Sequence, residues 1–174
     1  AFTPIVNLAK NIHIANDLGV ELILNGEFNE GTDNWSEVGS SSLVVGDYQG
    51  RKNVANINIL GTSNSDRIAQ DFYYTNGFTY FISLDVYLIS DNFRSDTSNS
   101  FVIVDFVATN KTGYWQTLTS DFTAIATGTN EIWLRSSQQI NQFFISNVSV
   151  KQKLLTNDFG VYVEQTGSYF LDFS

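Results

Sequence analysis

Apolar and polar residues alternate with a period of two along most of this chain. The clearest run is TYFISLDVYL, where Tyr80, Ile82, Leu84, Val86 and Leu88 fall on one side and Thr79, Phe81, Ser83, Asp85 and Tyr87 on the other. Successive side chains of a strand point to opposite faces. The run therefore predicts a strand whose first set lines a core, leaving Ser83, Asp85 and Tyr87 outward or in a cleft. In NEIWLRS the same period turns Ile132 and Leu134 inward and Glu131, Trp133 and Arg135 outward. Further short runs rich in Val, Ile, Thr and aromatics lie between clusters of Gly, Asn, Asp and Ser. They predict strands at 20–24, 42–47, 53–60, 66–73, 79–90, 101–109, 114–119, 121–126, 131–136, 143–151, 160–164 and 169–173. The polar stretches 61–65 and 91–100 read as loops. Many short strands at this spacing predict an all-β sandwich.

Both ends depart from that pattern. In residues 1–19, Ile5, Val6, Leu8, Ile12, Ile14 and Leu18 are scattered without period two, and a short helix around 7–16 is the expectation. Such an apolar segment reads as an arm that packs on its own domain or on a partner. At the other end, Val161 and Val163 alternate with Tyr162 and Glu164 before Tyr169, Phe170, Leu171 and Phe173 crowd the terminus. An apolar ending of this kind predicts a hairpin that augments a sheet. The organisation expected is an arm over 1–19, a β-sandwich domain over 20–153 and a β-hairpin extension over 154–174.

Composition narrows the functions. The chain has 174 residues, 43% of them hydrophobic, enough for one domain with a sizeable core. Its net charge of −9 repels phosphate backbones, and no basic stripe offsets this, so nucleic acid is not an expected partner. No run approaches the ~20 apolar residues of a membrane span, so membrane insertion is not expected. There is no cysteine, and the start lacks the basic and continuous apolar parts of a signal peptide. The chain begins with Ala and contains no Met, which fits a cytoplasmic product trimmed of its initiator and equally a processed or shortened chain.

Catalytic chemistry finds little material. The single histidine, His13, sits in the arm, and without cysteine neither a nucleophile–base pair nor a His/Cys metal site is supported. Glycoside hydrolysis needs only two carboxylates, one in an apolar setting. Glu131, beside Ile132 and Trp133, is the nearest candidate, and the period turns it outward. The expectation is a protein that is not an enzyme. Sugar binding needs an exposed ring to stack on a pyranose and polar groups to meet its hydroxyls. Trp133 flanked by Glu131 and Arg135 meets that requirement, as do Tyr87 with Asp85, and Gln138 follows in a loop. Trp35 and Trp115 read as core residues.

Several phrases then align in order. Asn25, Gly26 and Phe28, followed by Trp35, make an opening phrase. Gln70 and the run Gly77-Phe78-Thr79-Tyr80 come next, then Trp115 with Asp121-Phe122-Thr123, and last a closing Ile145, Asn147 and Val148. In this order the chain resembles the calcium-associated jelly-roll carbohydrate-binding modules, a branch of the galactose-binding-like β-sandwiches. The resemblance implies a jelly roll, and it implies one structural calcium held by oxygens of the opening and closing phrases. Glu27, Asn29, Glu30 and Ser146 occupy those positions, with Asn29 and Ser146 standing where relatives carry a Glu and an Asp. Similar modules occur on phage particles. With the arm and the hairpin, this makes a virion accessory or fibre protein the first reading, joined to other virion proteins or to its own copies and facing surface glycans. The alternative is a carbohydrate-binding module of a secreted polysaccharide-degrading enzyme; a hydrolase comes third.

Overall fold

A computed structural model describes residues 18–90, 92–97, 107–137, 139–156 and 162–163. The described residues contain thirteen strands. They are β1 (Leu18–Glu21), β2 (Ser36–Val38), β3 (Ser41–Tyr48), β4 (Arg51–Ile59), β5 (Arg67–Tyr74), β6 (Thr79–Leu88), β7 (Phe93–Thr97), β8 (Val107–Thr109), β9 (Trp115–Thr123), β10 (Gly128–Arg135), β11 (Asn141–Lys153), β12 (Leu155–Thr156) and β13 (Tyr162–Val163). One sheet runs β3-β4-β11-β6-β9, with β1 also pairing to β11, and a second runs β2-β5-β10-β7-β8. All of these pairings are antiparallel. The β-sandwich expected from the alternation, and the jelly roll that the resemblance implies, is the fold that forms.

The period-two residues build the core. Ile82, Leu84, Val86 and Leu88 of β6 are fully buried, and so are Ile57 of β4, Phe143 and Ile145 of β11, and Ile132 and Leu134 of β10. The inward set of one sheet meets that of the other in a single cluster, which removes apolar surface from water at about 25 cal/mol per Å². The opening phrase closes one side of this cluster. Phe28 is fully buried and stacks on Trp35 at 5.3 Å between ring centroids. Gln70 reaches inward and binds both backbone groups of Leu24: its Nε2 donates to Leu24 O at 2.8 Å and its Oε1 accepts from Leu24 N at 2.7 Å.

Three elements differ from the sequence expectation. Ser36–Val38 forms a short strand too small to show a period. Phe93–Thr97, read as loop, is a strand whose buried Asp96 is paired within the sheet by Arg94 and Arg135. The two runs expected at 114–119 and 121–126 are one strand, β9, carried through Ser120 by its register with β6. Near the C-terminus β13 pairs antiparallel with β12 in a separate two-stranded sheet. The arm at 1–17, with the expected helix and His13, and the apolar ending at 164–174 lie outside the described residues, as do 98–106.

One end of the sandwich is tied by Asp66, which is 4% exposed. Its Oδ1 accepts from Ser40 N at 2.8 Å and its Oδ2 from Ser63 N at 3.0 Å, joining the β2–β3 turn to the β4–β5 loop. Gly61 and Gly39 make room for the carboxylate, since a Cβ at either would lie 2.2 or 2.3 Å from its oxygens. Hydrogen bonds to a charged acceptor contribute ~1.5–3 kcal/mol each, and their loss leaves buried N–H groups unpaired. Asp66→Ala is therefore expected to cost about 3–4 kcal/mol, read as a lower urea midpoint with an unchanged slope.

Candidate functional site

Alternation places a second set of side chains on the solvent side of the β3-β4-β11-β6-β9 sheet. Register aligns Val44, Asn56, Phe144, Tyr87 and Trp115 in one straight row across those strands. With strands ~4.8 Å apart, the row is roughly 20 Å long and perpendicular to the chain direction. Tyr48, at the end of β3, stacks flat on Phe144 with an interplanar angle of 6°. Tyr87 stands edge-on to Tyr48 at 5.3 Å and to Trp115 at 5.8 Å. A recess of ≈ 270 Å³, lined by Val44, Tyr48, Val54, Asn56 and Phe144 among others, opens beside the stack. The rings are half-buried except Phe144, which is 5% exposed.

Polar groups border the row on both sides. On one, Gln142 donates to Asn56 Oδ1 at 2.9 Å. On the other, Asp85 accepts from Arg51 Nη1 and from Thr117 Oγ1, each at 2.5 Å, and from Asn147 Nδ2 at 2.8 Å. The Arg51 guanidinium also lies over the Trp115 ring, 4.2 Å from its centroid. Burial alone would raise the Asp85 pKa. The hydrogen bonds from Thr117, Arg51 and Asn147, with the Arg51 charge, outweigh it and hold the carboxyl below its ordinary value of 3.8.

The opposite sheet treats its outward tryptophan differently. Trp133 donates from Nε1 to Glu131 Oε2 at 2.6 Å, and Arg67 and Arg135 lie over its ring at 4.2 and 5.0 Å. Arg67 Nη2 also binds Glu131 Oε2 at 2.8 Å. Arg135 is 8% exposed and is spent on Asp96 and on Asn64 O. Guanidinium–ring contacts contribute ~0.5–2 kcal/mol, and two of them meet this ring where Trp115 has one, from Arg51. The candidate residues thus divide: Trp133, Glu131 and Arg135 share one outer face, Tyr87 and Asp85 the other, and Gln138 lies outside the described residues. Sequence reasoning missed Tyr48, Phe144, Arg51 and the outward turn of Trp115.

The residues expected around a metal are only partly together. Glu27, Asn29 and Glu30 line a recess of ≈ 680 Å³ between the opening loop and β11, while Ser146 lies on β11 opposite Asp85. Asn25 Nδ2 donates to Gly31 O at 3.1 Å and Asp33 O at 3.0 Å, occupying two loop carbonyls. Asn29 is engaged at both ends: Nδ2 donates to Glu27 Oε2 at 2.8 Å, and Oδ1 accepts from Asn53 Nδ2 at 2.6 Å. Calcium requires six to eight oxygen ligands free to point at it. Among the described residues no three His, Cys, Asp or Glu converge as a metal group, and this donor set does not fit a calcium ion.

Residues 20–136 match the family described as Carbohydrate binding domain. A solved structure described as CBM4 is 21% identical, with TM-score 0.59 over 75% of this chain and 99% of that one. The C-terminal family 22 carbohydrate binding module of Clostridium thermocellum Xyn10B is 10% identical, with TM-score 0.62 over 83% of this chain and 98% of that one. The enzymatically active domain of tailspike protein 4 from Bacteriophage CBA120 is 12% identical at TM-score 0.57, over 76% of this chain but 21% of that one. At these identities the likeness is one of fold. No curated protein matches the chain in sequence.

The Asp85 network has a measurable pH signature. Its folded pKa is depressed, so the stability it contributes is present above the ordinary value of 3.8 and is lost as pH falls through the lower folded value. Asp85→Asn is expected to be less stable than the parent at pH 6, with the gap closing below about pH 3–4. Urea unfolding at pH 6, 4 and 2.5 checks this; a gap that stays constant with pH would remove the ionised carboxylate from the account.

Proposed function

This chain belongs to the Carbohydrate binding domain family, and from that membership we propose that it binds a glycan chain along the aromatic row of the β3-β4-β11-β6-β9 sheet. The observation that carries the proposal is the row itself. Tyr87 and Trp115, with Tyr48 stacked over the buried Phe144, lie half-exposed on the outer side of adjacent strands of one sheet. Aromatic faces take the apolar faces of pyranoses, and the flanking Asn56, Gln142, Arg51, Asp85 and Asn147 supply donors and acceptors for hydroxyls. A glycan laid across the strands meets rings and polar groups along its length.

The ligand expected is neutral. Each cation of this face has an acidic partner: Arg51 has Asp85, Lys151 has Glu21, Lys153 has Asp121 and Lys52 has Asp47. With a net charge of −9, the chain repels anionic polysaccharides at long range. Binding without cleavage is part of the proposal. Asp85 is held ionised by its neighbours, the reverse of the raised carboxyl a general acid needs.

Of the two settings expected from the sequence, a module of an extracellular polysaccharide-degrading enzyme is the better supported. Similar structures include the CBM22-1 and GH10 modules of a Clostridium thermocellum xylanase and a structure described as the CBM22-1 xylan-binding domain of Paenibacillus barcinonensis Xyn10C. A place on a virion draws on the likeness to the phage tailspike domain, which is one of fold. Self-association and virion partners through the chain ends rest on segments outside the described residues.

Pull-down on insoluble cellulose, xylan, mannan and galactan, followed by calorimetry with the matching oligosaccharide, tests the reading. Trp115→Ala and Tyr87→Ala are each expected to weaken binding about tenfold or more, since a lost stacking ring removes on the order of 1.4 kcal/mol. Trp133→Ala is expected to stay within about twofold of the parent. The reverse ranking would move the site to the opposite sheet.

A further inference from the structure

We propose that this module closes its opening loop with side-chain amides in the place where its resemblance to calcium-associated modules implies a cation, and that it reaches full stability without a divalent metal. The proposal concerns the loop and β11 and does not depend on where the glycan binds.

A structural cation acts as a cross-link: it gathers oxygens from separate segments and cancels their mutual repulsion. Here amide N–H groups perform the gathering. Asn25 Nδ2 donates to Gly31 O and Asp33 O while its Oδ1 accepts from Glu30 N at 3.0 Å. Three bonds of fixed sense leave one orientation for this amide, so its nitrogen, not its oxygen, faces the carbonyls. The Asn25 carbonyl accepts from Trp35 Nε1 at 3.2 Å, which ties the same residue to the ring that closes the core. A second link, Asn53 to Asn29 to Glu27, joins the start of β4 to the loop across a sequence separation of 24 residues.

Charge supports the exchange. Asn29 and Ser146 are neutral at the two positions where the resemblance implies carboxylates, so the loop has less repulsion for a cation to relieve. Ser146 is 5% exposed, and a neutral hydroxyl there avoids the desolvation that a buried carboxylate would suffer. The backbone is likewise complete: Gly26 O accepts from Val148 N at 2.9 Å, so the loop is sewn directly to the closing strand.

Thermal unfolding of the chain, first stripped with EDTA and then supplied with 10 mM calcium chloride or 10 mM magnesium chloride, tests this. The midpoint is expected to stay within about 1 °C in all three. A resident site saturated a hundredfold over its dissociation constant would instead raise it by roughly 5–10 °C, and a saturable calcium-specific rise of that size overturns the proposal. Asn25→Ala is expected to lower the midpoint by roughly 5–10 °C, equally with and without calcium. Should that variant fail to fold, Asn53→Ala, which breaks one link, is expected to lower it by roughly 2–4 °C under both conditions. Restoration of either variant by calcium would overturn the proposal as well.

Discussion

The bulge in β11 is the constraint on which the rest of the molecule depends. This thirteen-residue strand pairs with β4 through 141–145 and with β6 from 143 to 152, and its register with β6 slips between Ser146 and Ser149. Asn147 takes a positive φ of 55° at the slip. The extra residue resets which side chains point inward, so Ile145 before it and Val148 and Val150 after it all reach the core. It also ends the pairing with β4, and the opening loop takes the vacated edge. That approach is close: a Cβ on Gly26 would sit 1.9 Å from Val148 O, which is why only glycine fits there. Without the bulge, β11 would continue beside β4 and the loop would have no strand to dock on.

The two outer faces solve one physical problem in opposite ways. Each carries a tryptophan that alternation turns to water. On the β2-β5-β10-β7-β8 sheet the ring is enclosed by charges: Arg67 and Arg135 lie over it, and Glu131 and Asp96 neutralise them. The arrangement is self-contained, because Arg67 is paired with Glu131 and Arg135 with Asp96. On the other sheet Trp115 meets one guanidinium, Arg51, and is continued by Tyr87, Phe144 and Tyr48. The half-exposed rings of Tyr48, Tyr87 and Trp115, backed by the buried Phe144 and bordered by amides, leave apolar area and hydrogen-bonding groups side by side. That mixture is what an amphipathic sugar chain requires and what a folded core does not.

Much of this was legible in the sequence, and the failures have physical causes. Period two placed the core residues of β6 and β10 on the correct faces, because both strands are long and half-buried. The same logic could have found the site. Phe143 and Phe144 are adjacent and so must face opposite ways, and Phe122, in the core, is an odd number of residues from Trp115. Dividing β9 at Ser120 concealed that parity. β7 was hidden because its buried Asp96 reads as loop in sequence. Only the pairing of β7 with β10 brings Arg135 alongside, and no local pattern carries that information. For the same reason Arg135 looked like a free ligand for a sugar when its guanidinium was already committed.

Loop and groove are coupled through one residue. Asn147, held in the bulge, donates to Asp85 on the groove side and lines the recess beside Glu27 and Asn29 on the loop side. Asp85 in turn fixes Arg51 over Trp115. The position of the polar border therefore follows from the seating of the opening loop on β11. Side chains locked by such a network have little rotamer freedom left to lose when a ligand arrives, at a saving of ~0.5–1.5 kcal/mol for each long side chain already ordered. A loop closed by amides contributes this rigidity by geometry alone. On the proposal that amides close this loop, its neighbours stay in register without a cation, and the polar border of the row is set before any ligand arrives.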